Sequence, residues 1–317
     1  MATISGFESL HRAALERFPG QQVHGGEVSA TIHLYHAANS ICSQKVRAVL
    51  LQTSQPFVSH PLDIFKGETY HPDYVRLRMA GCEAAGLPLA NDHPGSTSVA
   101  MTGCDACVVP TIVLSDSQEV IVDSKNICIE LDRRNSAAPN SLIPDKFRDA
   151  IATEIAIVDN LPNYQLLAVT VGKPTPFAAD NSFALSKVRR CERLMAENAR
   201  DTVLHRAYSA KRAKEKAAAD NLFESSATDR ARSLIEESLC QLDKRLSKSA
   251  GPYLFDSSVT IADLFWGVEL IRIEDLRLSN IWSSGRLTSV EAYHRRLSDL
   301  PAISGAVTQW PGARLKL

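Results

Sequence analysis

Residues 31–36 alternate, with Ile32, Leu34 and His36 on one side and Thr31, His33 and Tyr35 on the other, the two-residue period of a strand. Val46, Val49, Leu50 and Thr53 then recur at helical spacing, so the segment reads as strand, turn and helix. Residues 56–64 supply a second strand, and residues 74–79 a short helical or irregular connection. The first two strands with their helix make a βαβ unit, whose crossover is right-handed by the general rule. Residues 108–114 form an apolar strand entered through Pro110, residues 119–122 its hairpin partner, and Asp123, Ser124 and Lys125 open a helix to about residue 134. Beyond residue 145 strand signals stop. Helical patterns follow at 146–169, 183–216, 227–248, 259–277 and 287–309, with Pro174 and Pro176 separating the first two.

This pattern predicts an α/β domain over 30–135 and an all-α domain over 147–317, joined by a Ser-, Ala-, Asn- and Pro-rich linker at 136–146. Residues 1–29 read as an extension with a short helix at 7–17 and a glycine exit at Gly25 and Gly26. No chemistry is assigned to it. Residues 80–107 break the rhythm with Gly, Pro, Ser and Asn and predict a surface insertion able to cover a site. Thr260 and Asp263 have capping-box spacing ahead of the most apolar helix, expected to be the centre of its domain.

Composition narrows the function classes. The 35 basic and 36 acidic residues nearly balance, and no apolar run approaches the ~20 residues of a membrane span. Neither nucleic acid nor membrane is therefore an expected partner. Lys211 to Lys216 alternates charge with alanine and reads as a solvated helix face. The N-terminus lacks the apolar centre of a secretory signal, so the seven cysteines are expected as free thiols in the cytoplasm. Cys104-x-x-Cys107 finds no second pair at zinc spacing, and no metal is expected.

One cysteine stands apart. With Asn39 or Ser40 as N-cap, Cys42 falls in the first helical turn, where unpaired N–H groups and the dipole favour negative charge. Lys45, one turn on, adds a cation on roughly that face, and the polar neighbours Ser40, Ser43 and Gln44 argue against burial of the turn. A thiol so placed is expected to be reactive. A second helix start, at Asp123 and Ser124, could hold a carboxylate, although simple capping explains the same residues. His33, Tyr35 and His36, near the same strand end, stay uncommitted, because a lone strand histidine is more often structural.

Ser40-Ile41-Cys42-Ser43-Gln44-Lys45-Val46-Arg47, the 72–77 block, Val108-Val109-Pro110-Thr111, Asp123-Ser124 and Ile261-Ala262-Asp263 followed by Trp266 resemble the glutathione-dependent reductive dehalogenases of the glutathione transferase superfamily. The extension, the insertion before Val108 and the Gln309-Trp310-Pro311-Gly312 end share in the likeness, which covers roughly residues 30–312. It implies a thioredoxin-like N-terminal domain and a helical C-terminal domain, glutathione as co-substrate, a chlorinated hydroquinone or gentisate as substrate and a two-fold homodimer. It also implies Cys42 as the catalytic thiol, Ser40 near the glutathione sulfur, Val109 pairing its backbone with the tripeptide before a cis bond to Pro110, and Asp123 and Ser124 on the γ-glutamyl end. Lys45 joins these as a glutathione contact. Tyr164, Tyr208, Trp266 and Arg272 are expected around the aromatic ring, with Arg272 or Arg277 available to a ring carboxylate. A conjugate reductase, a maleyl-type cis-trans isomerase and a non-catalytic binding protein share the architecture as alternatives.

Overall fold

A computed structural model describes residues 4–24, 30–135, 141–167 and 181–315. Its sheet has five strands, β1 (Gln21–Val23), β2 (Ile32–His36), β3 (Phe57–Pro61), β4 (Thr111–Leu114) and β5 (Glu119–Val122), in the order β1-β3-β2-β4-β5. Only the β2–β3 pair is parallel, with Ile32 opposite Phe57, as a pair linked by the Ile41–Gln52 helix requires. In the antiparallel β2–β4 pair Leu34 faces Ile112 and Tyr35 faces Thr111.

The alternation along β2 sorts side chains onto two faces. Ile32, Leu34, Ile112 and Leu114 join Val46, Val49 and Leu50 of the following helix and continue into the helical half, so one core spans both halves. Tyr35 and Val113 point the other way, against Tyr74 and Leu77 and against Ala14 of the N-terminal helix Ile4–Arg17 and Phe18 just after it. The extension is thus structural. Fully burying a phenylalanine is worth roughly 1.5–3 kcal/mol, and the same segment adds the edge strand β1 beside β3. Gly25 and Gly26 lie outside the described residues.

The connection expected at 74–79 is a full helix, Pro72–Ala84, capped by His71 and started by Pro72. The long pattern at 183–216 is two helices, Asn181–Glu197 and Thr202–Asn221, because the Asp201 carboxylate accepts the Leu204 N–H and restarts the chain. The break assigned to Pro174 and Pro176, and linker residues 136–140, fall outside the described residues. Ile261–Asp275 is the central helix, buried at every residue except Glu274, with the Thr260–Asp263 capping box in place.

The cysteine reading needs correction. A disulfide joins Cys82 to Cys104, fastening the end of the insertion to the Pro72–Ala84 helix, while Cys42, Cys107, Cys128, Cys191 and Cys240 are free thiols. The sequence reading expects free thiols throughout, whereas the fold brings to Cys104 a residue 22 positions earlier. No described helix is long and apolar enough to cross a membrane.

Candidate active site

The Ile41–Gln52 helix begins where β2 ends. Ser40 is its N-cap, with an extended backbone and a hydroxyl that accepts the Ser43 N–H at 3.3 Å. This leaves Cys42 in the first turn, half-buried, with its Sγ 3.6 Å from the Thr97 hydroxyl. Thr97 belongs to the insertion, which therefore reaches the thiol. Ser96 donates to the Asp159 carbonyl at 2.7 Å, and His93 stacks on the Tyr164 ring with centroids 4.6 Å apart.

Contrary to the sequence reading, most of that first turn is buried. Ser43 accepts the Ala37 N–H at 3.3 Å, and Gln44 donates to the Ala313 carbonyl at 2.8 Å, so hydrogen bonds offset the cost of burying them. Lys45 also turns away from the cleft. Its ammonium lies 2.7 Å from Asp159 Oδ1 and 4.7 Å from the centre of the Phe265 ring. Burial opposes that charge, but Asp159 outweighs it and holds the lysine pKa above its ordinary value. The Lys45 ammonium is thus paired directly with Asp159 and acts on the Cys42 thiol only across space, as Arg272 does, beside the N–H groups of the helix start.

Cys42 opens onto a cleft of about 250 Å³. Ser40, Val109, Pro110, Asp123, Ser124 and Arg272 line it as well, bringing together most of the residues singled out in the sequence. The Val109–Pro110 bond is cis. Two side chains of the Pro72–Ala84 helix brace this loop from below: the Tyr74 hydroxyl donates to the Val108 carbonyl at 2.6 Å, and Arg78 donates to the carbonyls of Asp105 (2.6 Å) and Pro110. Asp123 caps the Ser124–Arg134 helix at φ 73°, its carboxylate accepting the Asn126 N–H at 3.0 Å. Burial raises the Asp123 pKa despite that bond. Arg272 donates to the Asn39 carbonyl at 2.6 Å, next to the cap of the Cys42 helix, while Arg277 is exposed.

Tyr164 lines the cleft, but Tyr208 and Trp266 do not. Both are fully buried. The Tyr208 hydroxyl donates to the Tyr70 carbonyl at 2.8 Å, and the Trp266 indole N–H to Glu154 at 2.9 Å, so their polar ends are satisfied inside the core. His36 bonds Ser59 at 2.8 Å and Arg47 at 3.0 Å, and His33 bonds His60 at 3.0 Å, structural contacts away from the cleft.

A second group of cleft residues escaped the sequence reading. Lys211 and Lys214 are buried rather than solvated, at 2.7 Å and 3.1 Å from Asp105, and Lys211 also meets Glu215 at 2.7 Å. Lys187 reaches Glu215 at 3.4 Å and the Tyr164 hydroxyl at 2.9 Å, and that hydroxyl donates to Glu215 at 2.9 Å. The signal was available in part: Lys211, Lys214 and Glu215 fall on one helical face among small alanines, which suits close packing as readily as solvation. Among the described residues no group of three or more His, Cys, Asp or Glu side chains is arranged to hold a metal ion.

No protein-family model matches the chain. It is 35% identical over 293 residues to the 2,5-dichlorohydroquinone reductive dechlorinase of Sphingobium indicum, covering 90% of this chain and 84% of that one. The tetrachloro-p-hydroquinone reductive dehalogenase of Sphingobium chlorophenolicum is 26% identical over 274 residues, covering 84% and 91%. Among solved structures, the β-etherase LigF of Sphingobium sp. strain SYK-6 superposes with a TM-score of 0.58 at 18% identity, over 87% of this chain and 98% of that one. A glutathione transferase of Phanerochaete chrysosporium in complex with oxidised glutathione gives 0.57 at 16% identity, over 88% and 95%. These last two likenesses establish the glutathione transferase fold.

Proposed function

The chain belongs to the family of hydroquinone reductive dehalogenases within the glutathione transferase superfamily, and from that premise we propose that it replaces halogen by hydrogen on a chlorinated hydroquinone-type ring, with glutathione as reductant. The observation that carries the reading is the half-buried Cys42 thiol in a first helical turn, opening onto the same cleft as the cis Val109–Pro110 loop and the Asp123–Ser124 helix start.

In this reading Val109 pairs its backbone with the tripeptide, and the N–H groups at Ser124 receive the γ-glutamyl carboxylate. Ser40 lies beside the glutathione sulfur. The ring tautomerises to an electrophile, the glutathione thiolate adds, and halide leaves with the ring electrons restored, giving a glutathionyl hydroquinone. The Cys42 thiolate then attacks the conjugate's sulfur. The carbon–sulfur bond breaks, the ring carbon takes the electron pair and a proton, and Cys42 is left as a mixed disulfide with glutathione. A second glutathione attacks that disulfide and leaves as oxidised glutathione, restoring the thiol. Two glutathiones are thus oxidised to one disulfide for each halide replaced by hydrogen.

The test is a single turnover on a glutathionyl hydroquinone with no free glutathione present. One equivalent of hydroquinone is expected, together with one glutathionyl group on the protein, located at Cys42 by peptide mass. Hydroquinone released from unmodified protein, or an adduct on the other half-buried thiol, Cys240, would overturn the assignment.

A further inference from the structure

The cleft onto which Cys42 opens also carries a surplus of positive charge. Lys187, Lys211 and Lys214 line it, with Asp105 beside them and Glu215 behind. Burial pushes the Asp105 and Glu215 carboxyls up, but the lysines outweigh it, holding Asp105 far below the carboxylate range and Glu215 at about 2. Both are therefore anions, facing the ammonium groups of Lys211, Lys214 and Lys187. Burial lowers the Lys187 pKa to about 8 against the pull of Glu215, so that it stays mostly charged at neutral pH. Arg78 widens the imbalance, since its guanidinium donates to two carbonyls and the Thr111 hydroxyl, and no carboxylate pairs with it among the described residues. His93 does not offset this: burial, helped by Lys214, drops its pKa to about 3 and leaves the ring neutral.

Buried cations in excess of their partners are costly, and a fold that lines a cleft with them leaves room for an anion to complete the set. Two details say what kind. Lys187 lies over aromatic rings, 4.2 Å from the centre of Phe183 and 4.5 Å from that of Tyr164, so the charge sits against flat apolar walls. The buried hydroxyl of Tyr70, which also lines the cleft beside Lys211, has no hydrogen-bond partner among the described residues. A flat ring bearing a charged oxygen would meet both walls and cations.

We propose that Lys187, Lys211 and Lys214 form the subsite that holds an oxyanion borne by the aromatic substrate, its phenolate or a ring carboxylate. This rests on the reading of the cleft as a dehalogenase site and adds the residues that select the ring. The role falls to this cluster rather than to Arg272. Arg272 also lines the cleft, donates to the Asn39 carbonyl at 2.6 Å and keeps an Nε with no hydrogen-bond partner among the described residues. No ring among those residues, however, lies under its guanidinium as Phe183 and Tyr164 lie under Lys187. Lys214 is the member to test, because Nζ meets one carboxylate oxygen, at 3.1 Å, and Lys211 still pairs Asp105 without it.

Equilibrium binding of two halogen-free rings, hydroquinone and 2,5-dihydroxybenzoate, to the wild type and to Lys214→Met and Lys187→Met keeps the subsite separate from the chemistry. Each variant is expected to lose roughly 10- to 100-fold in ring affinity, the worth of a hydrogen bond to a charged group, with glutathione affinity within about twofold of wild type. Lys214→Arg should recover most of the loss. Equal losses for both rings identify the ring oxygen as the ligand, and a loss confined to 2,5-dihydroxybenzoate identifies the carboxylate. Weakened glutathione binding with unchanged ring binding would overturn the proposal and give the cations to the tripeptide carboxylates. Unchanged binding of every ligand in a folded Lys214→Met protein would reduce the cluster to a structural role. An inactive wild type that still shows these binding changes would count against dehalogenation and leave the subsite standing.

Discussion

Replacing Cys42 by serine is expected to leave halide release running while the dehalogenated ring ceases to form. The two halves of the proposed reaction use different sulfurs. Addition to the ring and loss of halide need the glutathione thiolate, which the Val109–Pro110 loop and the Ser40 and Ser124 helix starts would hold without help from Cys42. Cleavage of the conjugate needs a nucleophile that attacks sulfur and ends as a disulfide. A serine hydroxyl is scarcely ionised near neutrality and forms no disulfide, so hydroquinone formation should fall by roughly three orders of magnitude or more. The glutathionyl conjugate should accumulate in step with halide, which chromatography of the quenched reaction would reveal. Normal product formation by Cys42→Ser would remove the cysteine from the chemistry.

Asp105→Asn should give the largest loss of stability among single changes in the cleft. The carboxylate lies 2.7 Å from Lys211 and 3.1 Å from Lys214 and accepts the Cys107 N–H at 2.9 Å, all out of contact with water. The amide keeps the backbone bond and loses the charge, leaving Lys211 with Glu215 alone and taking from Lys214 its Asp105 ion pair. Removing one partner of a buried ion pair costs roughly 3–5 kcal/mol, a drop in Tm on the order of 10 °C for a chain of this size. The dependence on pH has a definite sign. Because folding depresses the Asp105 pKa far below 3.8, its contribution is complete above that value and is lost progressively as pH falls from there toward the much lower folded pKa. The gap in Tm between wild type and variant should therefore be widest near neutrality and narrow in acid. A gap constant down to the acid limit, or no gap at all, would show that the charge is not what holds this cluster.

What could be read from the sequence was local. The Ser40 cap, the first-turn Cys42, the Pro110 strand entry and the Asp123–Ser124 helix start each depend on a few adjacent residues, and the structure places all of them along one cleft. What could not be read depends on partners far along the chain. Lys211 and Lys214 read as surface residues because the group that pays for their burial, Asp105, lies 106 and 109 positions away at the end of an irregular insertion. Lys45 read as a companion of Cys42 because its spacing says nothing of Asp159, 114 positions on. Trp266 and Tyr208 read as pocket aromatics, yet large rings with a polar tip are equally suited to a core that supplies an acceptor, as Glu154 and the Tyr70 carbonyl do. The N-terminal helix read only as an extension because the residues that it and Phe18 pack against, among them Tyr35, Leu62, Tyr74 and Val113, come from separate stretches of the chain.

The most direct test of the central claim is an anaerobic assay of the protein with glutathione and dichlorohydroquinone, tetrachlorohydroquinone or dichlorogentisate, following halide and oxidised glutathione together. Reductive dehalogenation through a Cys42 mixed disulfide predicts one oxidised glutathione for every halide released with at least one of these rings. Halide released without oxidised glutathione, or glutathione recovered unchanged beside an altered substrate, would contradict it and point instead to simple conjugation or to isomerisation.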